Sequence, residues 1–206
     1  MTVLISFLVL LAAIVGIGLG FRYYLHESAR RRIAIYITNT GTFFDRLSLF
    51  EYYVILRYPL APIAVIFFST PDKLSLTKFK WLMTRDVGLD GDSGWKNEHW
   101  AGQDTLNTWI RIQWLWRNGA STLAYEQFGY NITKDGELKE VATHNNLLKV
   151  FKSADGQFFL YREFVPTKDG KYIEYFYGWA IQGPQLMGED RVAKLVFTVR
   201  KRTNTN

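Results

Sequence analysis

An unbroken apolar stretch occupies the N-terminal end of the sequence. Residues 2–21 contain no charged side chain and show no polar face. As an α-helix, a stretch of this length rises about 30 Å, which is the thickness of a bilayer core. It lacks the basic region that precedes the apolar core of a signal peptide, and it is long for such a core. The pattern therefore predicts an uncleaved transmembrane helix over residues 2–21.

Aromatic and basic residues follow this stretch on one side only. They are Arg22, Tyr23, Tyr24, Arg30, Arg31 and Arg32. Tyrosine beside a charge is typical of a membrane–water interface, and the positive-inside rule places the arginines in the cytoplasm. The arginines either bind anionic headgroups or serve only as the basic flank of the span. Gly16 and Gly20 form a G-x-x-x-G motif on one helix face, which suggests helix self-association and a homo-oligomer.

A second apolar stretch, residues 47–68, admits three interpretations. It is long enough to span a bilayer. Four residues interrupt it: Glu51, Arg57, Pro59 and Pro62. Because proline removes a backbone donor, a helix here is expected to kink or end near Tyr58. The stretch is a kinked second span, an interfacial or re-entrant segment, or the core of a soluble domain. The first places the C-terminal domain outside the cytoplasm, whereas the other two place it inside.

The remaining pattern predicts an α+β domain over residues 70–206, after a membrane region of residues 1–69. Apolar residues at helical spacing predict short helices over 74–85 and 104–117. The second is rich in tryptophan, so it either packs deeply or lies on a bilayer surface. From about residue 123 the pattern changes to that of β-strands.

Strands are predicted over 147–152, 157–165, 171–181 and 191–200. Asp-Gly turns separate the first three, and alternation in the last requires a register shift near Lys194. Short connections make consecutive strands antiparallel neighbours. The predicted fold is therefore an N-terminal transmembrane helix, a second apolar segment, and short helices packed on an antiparallel meander of four or more strands.

Composition narrows the classes of chemistry. The 206 residues include no cysteine and three histidines, which excludes a disulfide scaffold, a cysteine nucleophile and zinc sites with thiolate ligands. The net charge of +6 is spread evenly, since residues 1–69 carry 6 basic and 3 acidic side chains and residues 70–206 carry 19 and 16. The basic stripe of a nucleic-acid-binding surface is missing. No nucleic-acid partner is therefore expected.

The densest polar constellation lies in residues 85–100. Its side chains with functional potential are Asp86, Asp90, Asp92, Trp95, Glu98, His99 and Trp100. An EF-hand loop starting at Asp86 fails at two ligand positions, where Gly88 and Asn97 stand. The glycines and aspartates of the loop indicate Asx-turns with positive φ angles. A weak Ca²⁺ or Mg²⁺ site at Asp86, Asp90 and Asp92 is the alternative.

A metal-dependent hydrolase would use the same aspartates together with His99. Adjacent side chains diverge by about 100° on a helix and point to opposite faces on a strand. Glu98 and His99 are therefore poorly placed to act on one substrate atom. No other catalytic motif accompanies them.

Three motifs resemble a family of uncharacterised proteins of tailed bacteriophages. The motifs are Leu89-Asp90-Gly91-Asp92-x-Gly94-Trp95-x-x-Glu98-His99-Trp100 after Asp86, then Trp114-Leu115-Trp116-Arg117-Asn118, and Tyr177-Gly178-Trp179. The resemblance extends over about residues 53–197. It implies a phage origin, an N-terminal apolar segment and a site of action at the host inner membrane, but no activity and no catalytic residue.

These patterns predict a non-enzymatic, phage-encoded protein anchored in the host inner membrane. It is expected to bind a host or phage protein or membrane lipid, without a cofactor. The alternatives are a divalent-metal-dependent hydrolase built on loop 86–99 and a membrane-embedded component of the virion.

Overall fold

The computed structural model describes residues 2–85, 87–100, 107–180 and 191–205, with the backbone alone for residues 2–15. Two long helices come first, α1 (Thr2–Ile33) and α2 (Gly41–Phe67). A 3-10 turn (Lys80–Leu82) and four short helices follow, namely α3 (Ser93–His99), α4 (Thr108–Asn118), α5 (Ser121–Glu126) and α6 (Ile132–Asp135). The strands are β1 (Tyr130–Asn131), β2 (Lys139–His144), β3 (Leu148–Lys152), β4 (Phe159–Pro166), β5 (Tyr172–Ala180) and β6 (Val192–Arg202).

The strands form one antiparallel sheet in the order β1-β6-β5-β4-β3-β2. Strands β2 to β6 are a continuous meander, which confirms the predicted antiparallel meander and the mixed helix-and-sheet class. Gly156 and Gly170 adopt φ angles of +70° and +73° in the two Asp-Gly turns, a conformation that glycine takes without steric cost. Local turn chemistry therefore fixes which strands are neighbours.

The predicted helix over 74–85 is wrong. Only the 3-10 turn at Lys80–Leu82 is helical, because the backbone of this segment bonds elsewhere. The Thr77 N–H donates to the Phe68 carbonyl at 2.7 Å, and the Leu74 carbonyl accepts from the Leu89 N–H at 2.8 Å. The segment nevertheless buries Leu76 and Leu82 completely, so its apolar residues mark an irregular buried segment and not a helix.

Other predicted boundaries also change. The tryptophan-rich helix begins at Thr108, with Asn107 accepting a hydrogen bond from the Trp109 N–H at 2.9 Å; residues 104–106 lie outside the described residues. The strand pattern was expected to begin at about residue 123, but residues 121–126 form the helix α5. In β6 the pairing with β5 is unbroken, so the predicted register shift near Lys194 is wrong. Ala193 is buried on the same face as Leu195 and restores the alternation.

The described residues form two apolar clusters, and α2 contributes to both. The first joins the helices to the sheet, and the second lies among the helices and the segment before α3. At one end of α2, the Phe43 ring lies 5.1 Å from Phe159 and 5.6 Å from Trp179. At the other end, Ala64 and Val65 are buried in the cluster that contains Trp114 of α4. The tryptophan-rich α4 is thus deeply packed, although Trp109 remains 54% exposed.

Two prolines lie inside α2 without ending it. Of the two expected outcomes near Tyr58, a kink or an end of the helix, the end is therefore wrong. Pro62 has no N–H to give to the carbonyl of Tyr58, four residues earlier. The indole Nε1–H of Trp116 donates to that carbonyl at 3.0 Å. A side chain from α4 therefore replaces the hydrogen bond that Pro62 removes.

Trp116→Phe is expected to lower the free energy of unfolding by about 1 kcal/mol, because it removes this donor. Pro62→Ala supplies a backbone N–H to the Tyr58 carbonyl, so the same change should cost clearly less in that background. Urea unfolding of the four proteins in a mild detergent measures both costs. Equal costs in the two backgrounds would contradict the role assigned to Trp116.

Candidate functional site

The Asp-rich loop leads into α3. The Asp92 carboxylate accepts the Trp95 N–H at 2.8 Å and caps the helix. Gly91 precedes it with φ +84°, and a Cβ there would overlap the Trp95 indole. Asp92 therefore has the local backbone-bonding role expected of an Asx residue. Gly91 supplies the positive φ angle and the space for the indole.

Trp95 is the centre of the loop's side-chain contacts. Its ring stacks on the His99 imidazole, with centroids 3.6 Å apart, and the Arg117 guanidinium lies 5.4 Å from its centroid. The His99 Nδ1 lies 3.2 Å from the Trp95 carbonyl oxygen. Trp95 and Trp100 are 5% exposed. The two tryptophans of the 89–100 motif, Trp95 and Trp100, therefore belong to the apolar cluster that contains Trp114.

The acidic side chains of the loop do not converge. Asp90 pairs with Lys96, whereas Asp92 is used as the helix cap. Glu98 lies 3.9 Å from Arg117. Within the described parts of the chain, no three His, Asp or Glu side chains are grouped to hold a metal ion. Asp86, the remaining predicted ligand, lies outside the described residues.

The predicted membrane-interface residues lie along the C-terminal half of α1. Arg22 donates to Glu51 of α2 at 2.5 Å, and the His26 Nε2 is 3.0 Å from the same carboxylate. Arg32 donates to Glu163 of β4 at 2.8 Å. These contacts hold the end of α1 against the domain.

The other predicted interface residues are either exposed or contact side chains of α1 and α2. Tyr23 and Tyr24 are 72% and 67% exposed. Arg31 pairs with Glu27 one turn earlier on α1, and Arg30 lies over the Phe44 ring. For the self-association motif, a Cβ on Gly16 or Gly20 would meet no atom within 4 Å. Both glycines therefore lie on an open helix surface.

Helix α2 carries an exposed apolar surface that we call its outer face. It consists of Leu49, Tyr52, Ile55, Leu56, Ile63, Ile66 and Phe67, which are 41–71% exposed. At 100° per residue these positions fall within an arc of about 120°. Among the residues whose side chains the structure describes, α2 is a helix long and apolar enough to cross a membrane, and 17% of its most apolar window is buried. Residues 2–15 of α1 are outside that set.

A cavity of about 760 Å³, which we call the basic cavity, opens on the opposite side of α2. Its basic side chains are Arg57, Arg85, Arg117 and Lys194. They come from α2, the segment before α3, α4 and β6. Asp92 is the one acidic residue among the described lining residues, and its carboxylate is engaged at the helix cap. The described lining therefore carries a surplus of positive charge.

Aromatic rings and backbone groups hold these basic side chains in place. The Arg85 guanidinium and the Lys194 ammonium lie 5.2 and 5.7 Å from the centroid of Tyr125. Arg57 donates to the Gly119 carbonyl at 3.0 Å. Burial lowers the pKa of Lys194. Within the described structure, buried donors on Arg57, Arg85 and Asn118 have no hydrogen-bond partner. Such donors gain from a bound anion.

An apolar groove of about 510 Å³ lies between α1 and α2. Its apolar lining residues are Leu19, Phe21, Leu25, Val54, Ile55 and Phe197. Val54 and Phe197 line both this groove and the basic cavity. Arg22, His26 and Glu51 also line the groove, and Arg22 and Glu51 pair with each other. A mainly apolar groove and a cationic cavity are therefore adjacent.

Sequence reasoning missed the basic cavity. Its four basic residues are separated by 28 or more positions along the chain, so they form no charge run. Arg57 interrupting an apolar helix was the available signal, because a charge in such a helix requires a polar environment.

Comparison with known proteins identifies the family but not an activity. A family of unknown function (DUF7338) matches residues 47–202, so the chain belongs to this family. The match includes most of α2, the loop and the sheet, and leaves α1 outside. No curated protein and no solved structure matches the chain significantly.

Proposed function

We propose that this protein is a non-enzymatic, membrane-anchored binding protein at the cytoplasmic surface of the host inner membrane. The observation that supports this most strongly is the outer face of α2, a continuous row of exposed, large apolar side chains. Exposed apolar surface of this extent is characteristic of contact with lipid or with a protein partner.

The packing of α2 favours an interfacial position over a second span. Phe43 near its start and Val65 near its end are both buried against the domain. Threading α2 through a bilayer would pull polar strands and loops into the hydrocarbon, where unpaired backbone groups are costly. We therefore place α2 in the plane of the membrane surface, with its outer face in lipid.

Helix α1 supplies the anchor in this arrangement. Its apolar residues 2–21 cross the bilayer, and Arg30, Arg31 and Arg32 remain on the cytoplasmic side. Because α1 continues to Ile33, which is buried in the sheet cluster, one helix joins the anchor to the domain. The C-terminal domain then lies in the cytoplasm.

The phage origin belongs to the same proposal and is supported by the resemblance of the 86–100 loop. The hydrolase alternative gains no support from the geometry, since Asp90, Asp92 and His99 contact different groups. No contact in the described structure favours a virion component.

Single-cysteine labelling tests the membrane position, because the chain has no cysteine of its own. We expect an environment-sensitive dye at Tyr52→Cys or Ile66→Cys to report a lipid surrounding in vesicles. The exposed polar position Glu140→Cys is the control and should report water. A membrane-impermeant maleimide should reach Asn204→Cys only after spheroplasts are lysed.

Two results would contradict the proposal. One is a water-exposed dye at both positions of the outer face. The other is labelling of Asn204→Cys in intact spheroplasts, which would place the C-terminus outside and make α2 a second span.

A further inference from the structure

The basic cavity and the apolar groove are neighbours, because Val54 and Phe197 line both. A ligand that fits this pair has an anionic end and an apolar end.

The cavity is suited to a phosphate group. Arg85 and Lys194 flank the Tyr125 ring, which positions both cations without neutralising them. Arg57 reaches the cavity from α2 and keeps a buried Nε donor that no described group accepts. Arg57, Arg85 and Lys194 line one cavity, and guanidinium and ammonium groups are the side chains that usually recognise phosphate.

The groove distinguishes a lipid from a soluble phosphate ester. It lies between α1 and α2 and is lined mainly by aliphatic and aromatic side chains, including Leu25 and Val54. Its polar side chains, Arg22, His26 and Glu51, bond to one another. Ile55 belongs to both the groove and the outer face of α2. The groove therefore opens towards the surface that the proposed function places in the membrane.

We propose that the site binds one anionic phospholipid, with its phosphate between Arg57, Arg85 and Lys194 and an acyl chain in the groove. This inference deepens the proposed function and rests on it, because the groove must face lipid. The bound lipid would supply acceptors to the buried donors of the cavity, which are costly to leave unpaired.

The test measures binding of fluorescent phosphatidylglycerol to the full chain in micelles of a neutral detergent. Arg85→Gln and, separately, Lys194→Gln should each weaken binding about tenfold, as expected for loss of one charge-assisted contact. Lys168→Gln, the matched control, removes the same charge from the exposed turn between β4 and β5 and should leave affinity within about twofold. Thermal melts establish that each variant is folded.

A groove variant and a competitor separate lipid from free phosphate. Val54→Asn should weaken phosphatidylglycerol binding, because it places an amide in the path of the acyl chain. Glycerol 3-phosphate should displace the lipid poorly. Displacement as effective as that by unlabelled phosphatidylglycerol would mean a site for a soluble phosphate ester and would overturn the proposal.

Failure of the lipid site can be distinguished from failure of the proposed membrane position. Equal effects of Arg85→Gln and Lys168→Gln, in a chain that still associates with vesicles, would overturn the lipid site alone. Specific binding in micelles by a chain that associates with no vesicle would overturn the membrane position, and with it the proposal that the groove faces the bilayer.

Discussion

Glu174→Gln is expected to lower the free energy of unfolding by about 3 kcal/mol, as for other buried ion pairs that lose one partner. Glu174 on β5 is completely buried. Arg162 of β4 donates to it at 2.8 Å and Arg200 of β6 at 2.5 Å. The Arg202 Nε also lies 3.3 Å from this carboxylate. The neutral amide leaves three guanidinium groups next to a site that no longer compensates their charge.

The pH dependence of stability provides a second readout. Burial alone would raise the pKa of Glu174, but hydrogen bonds from Arg200 and Arg162 hold this pKa below its ordinary value. A carboxyl with a depressed folded-state pKa stabilises the protein above its unfolded pKa, and this stabilisation is lost as the pH falls through the folded value. The cost of Glu174→Gln should therefore shrink between about pH 7 and about pH 3.

Urea unfolding in a mild detergent at the two pH values measures both effects. Glu137→Gln is the control, because its pair with Arg191 is exposed on both sides. Exposed pairs contribute about 0–1 kcal/mol, so this change should be nearly neutral. A Glu174→Gln cost as small as that of the control, or one that does not vary with pH, would contradict the assigned role.

The strands and turns that depend only on neighbouring residues could be predicted from the sequence. Strands β3 to β6 follow from alternation, and the Asp-Gly turns at Gly156 and Gly170 fix their order. Along β6 the sequence placed Val192 on the face of Leu195, whereas Ala193 occupies that face, since alanine is a weak marker of burial. The bond from the Asp92 side chain to a nearby backbone N–H was predicted as an Asx-turn, but helix α3, which it caps, was not.

The elements that depend on distant partners were not predictable. The apolar residues around Leu82 indicated a helix, but backbone bonds to residues of other segments hold this region irregular. The continuity of α2 past Pro62 depends on Trp116, 54 positions later. The basic cavity brings together residues from four elements, and no local pattern contains that information.

The attachment of α2 to the sheet also explains why one glycine is essential. Gly178 lies in β5 with φ +98°, between the buried Tyr177 and Trp179. A Cβ at this position would overlap the carbonyl oxygen of Phe159, which is backbone and cannot move aside. Phe159 and Trp179 are the rings against which Phe43 of α2 packs. A displacement here is therefore transmitted to α2.

We expect Gly178→Ala to cost about 3 kcal/mol or more, the sum of left-handed strain and a backbone clash. Gly170→Ala is the matched control, because Gly170 has φ +73° but a Cβ there meets open space. It should cost only about 1 kcal/mol, from the strain alone. Urea unfolding measures both costs.

Trp179 fluorescence tests whether the clash is local. The Trp179 Nε1–H donates to the Phe128 carbonyl at 2.8 Å, so displacement of β5 should alter its emission in Gly178→Ala and not in Gly170→Ala. Equal costs for the two variants would mean that positive φ alone requires Gly178. A larger cost at Gly178 would show that close contact between β4 and β5 determines this position, and therefore how α2 is held on the sheet.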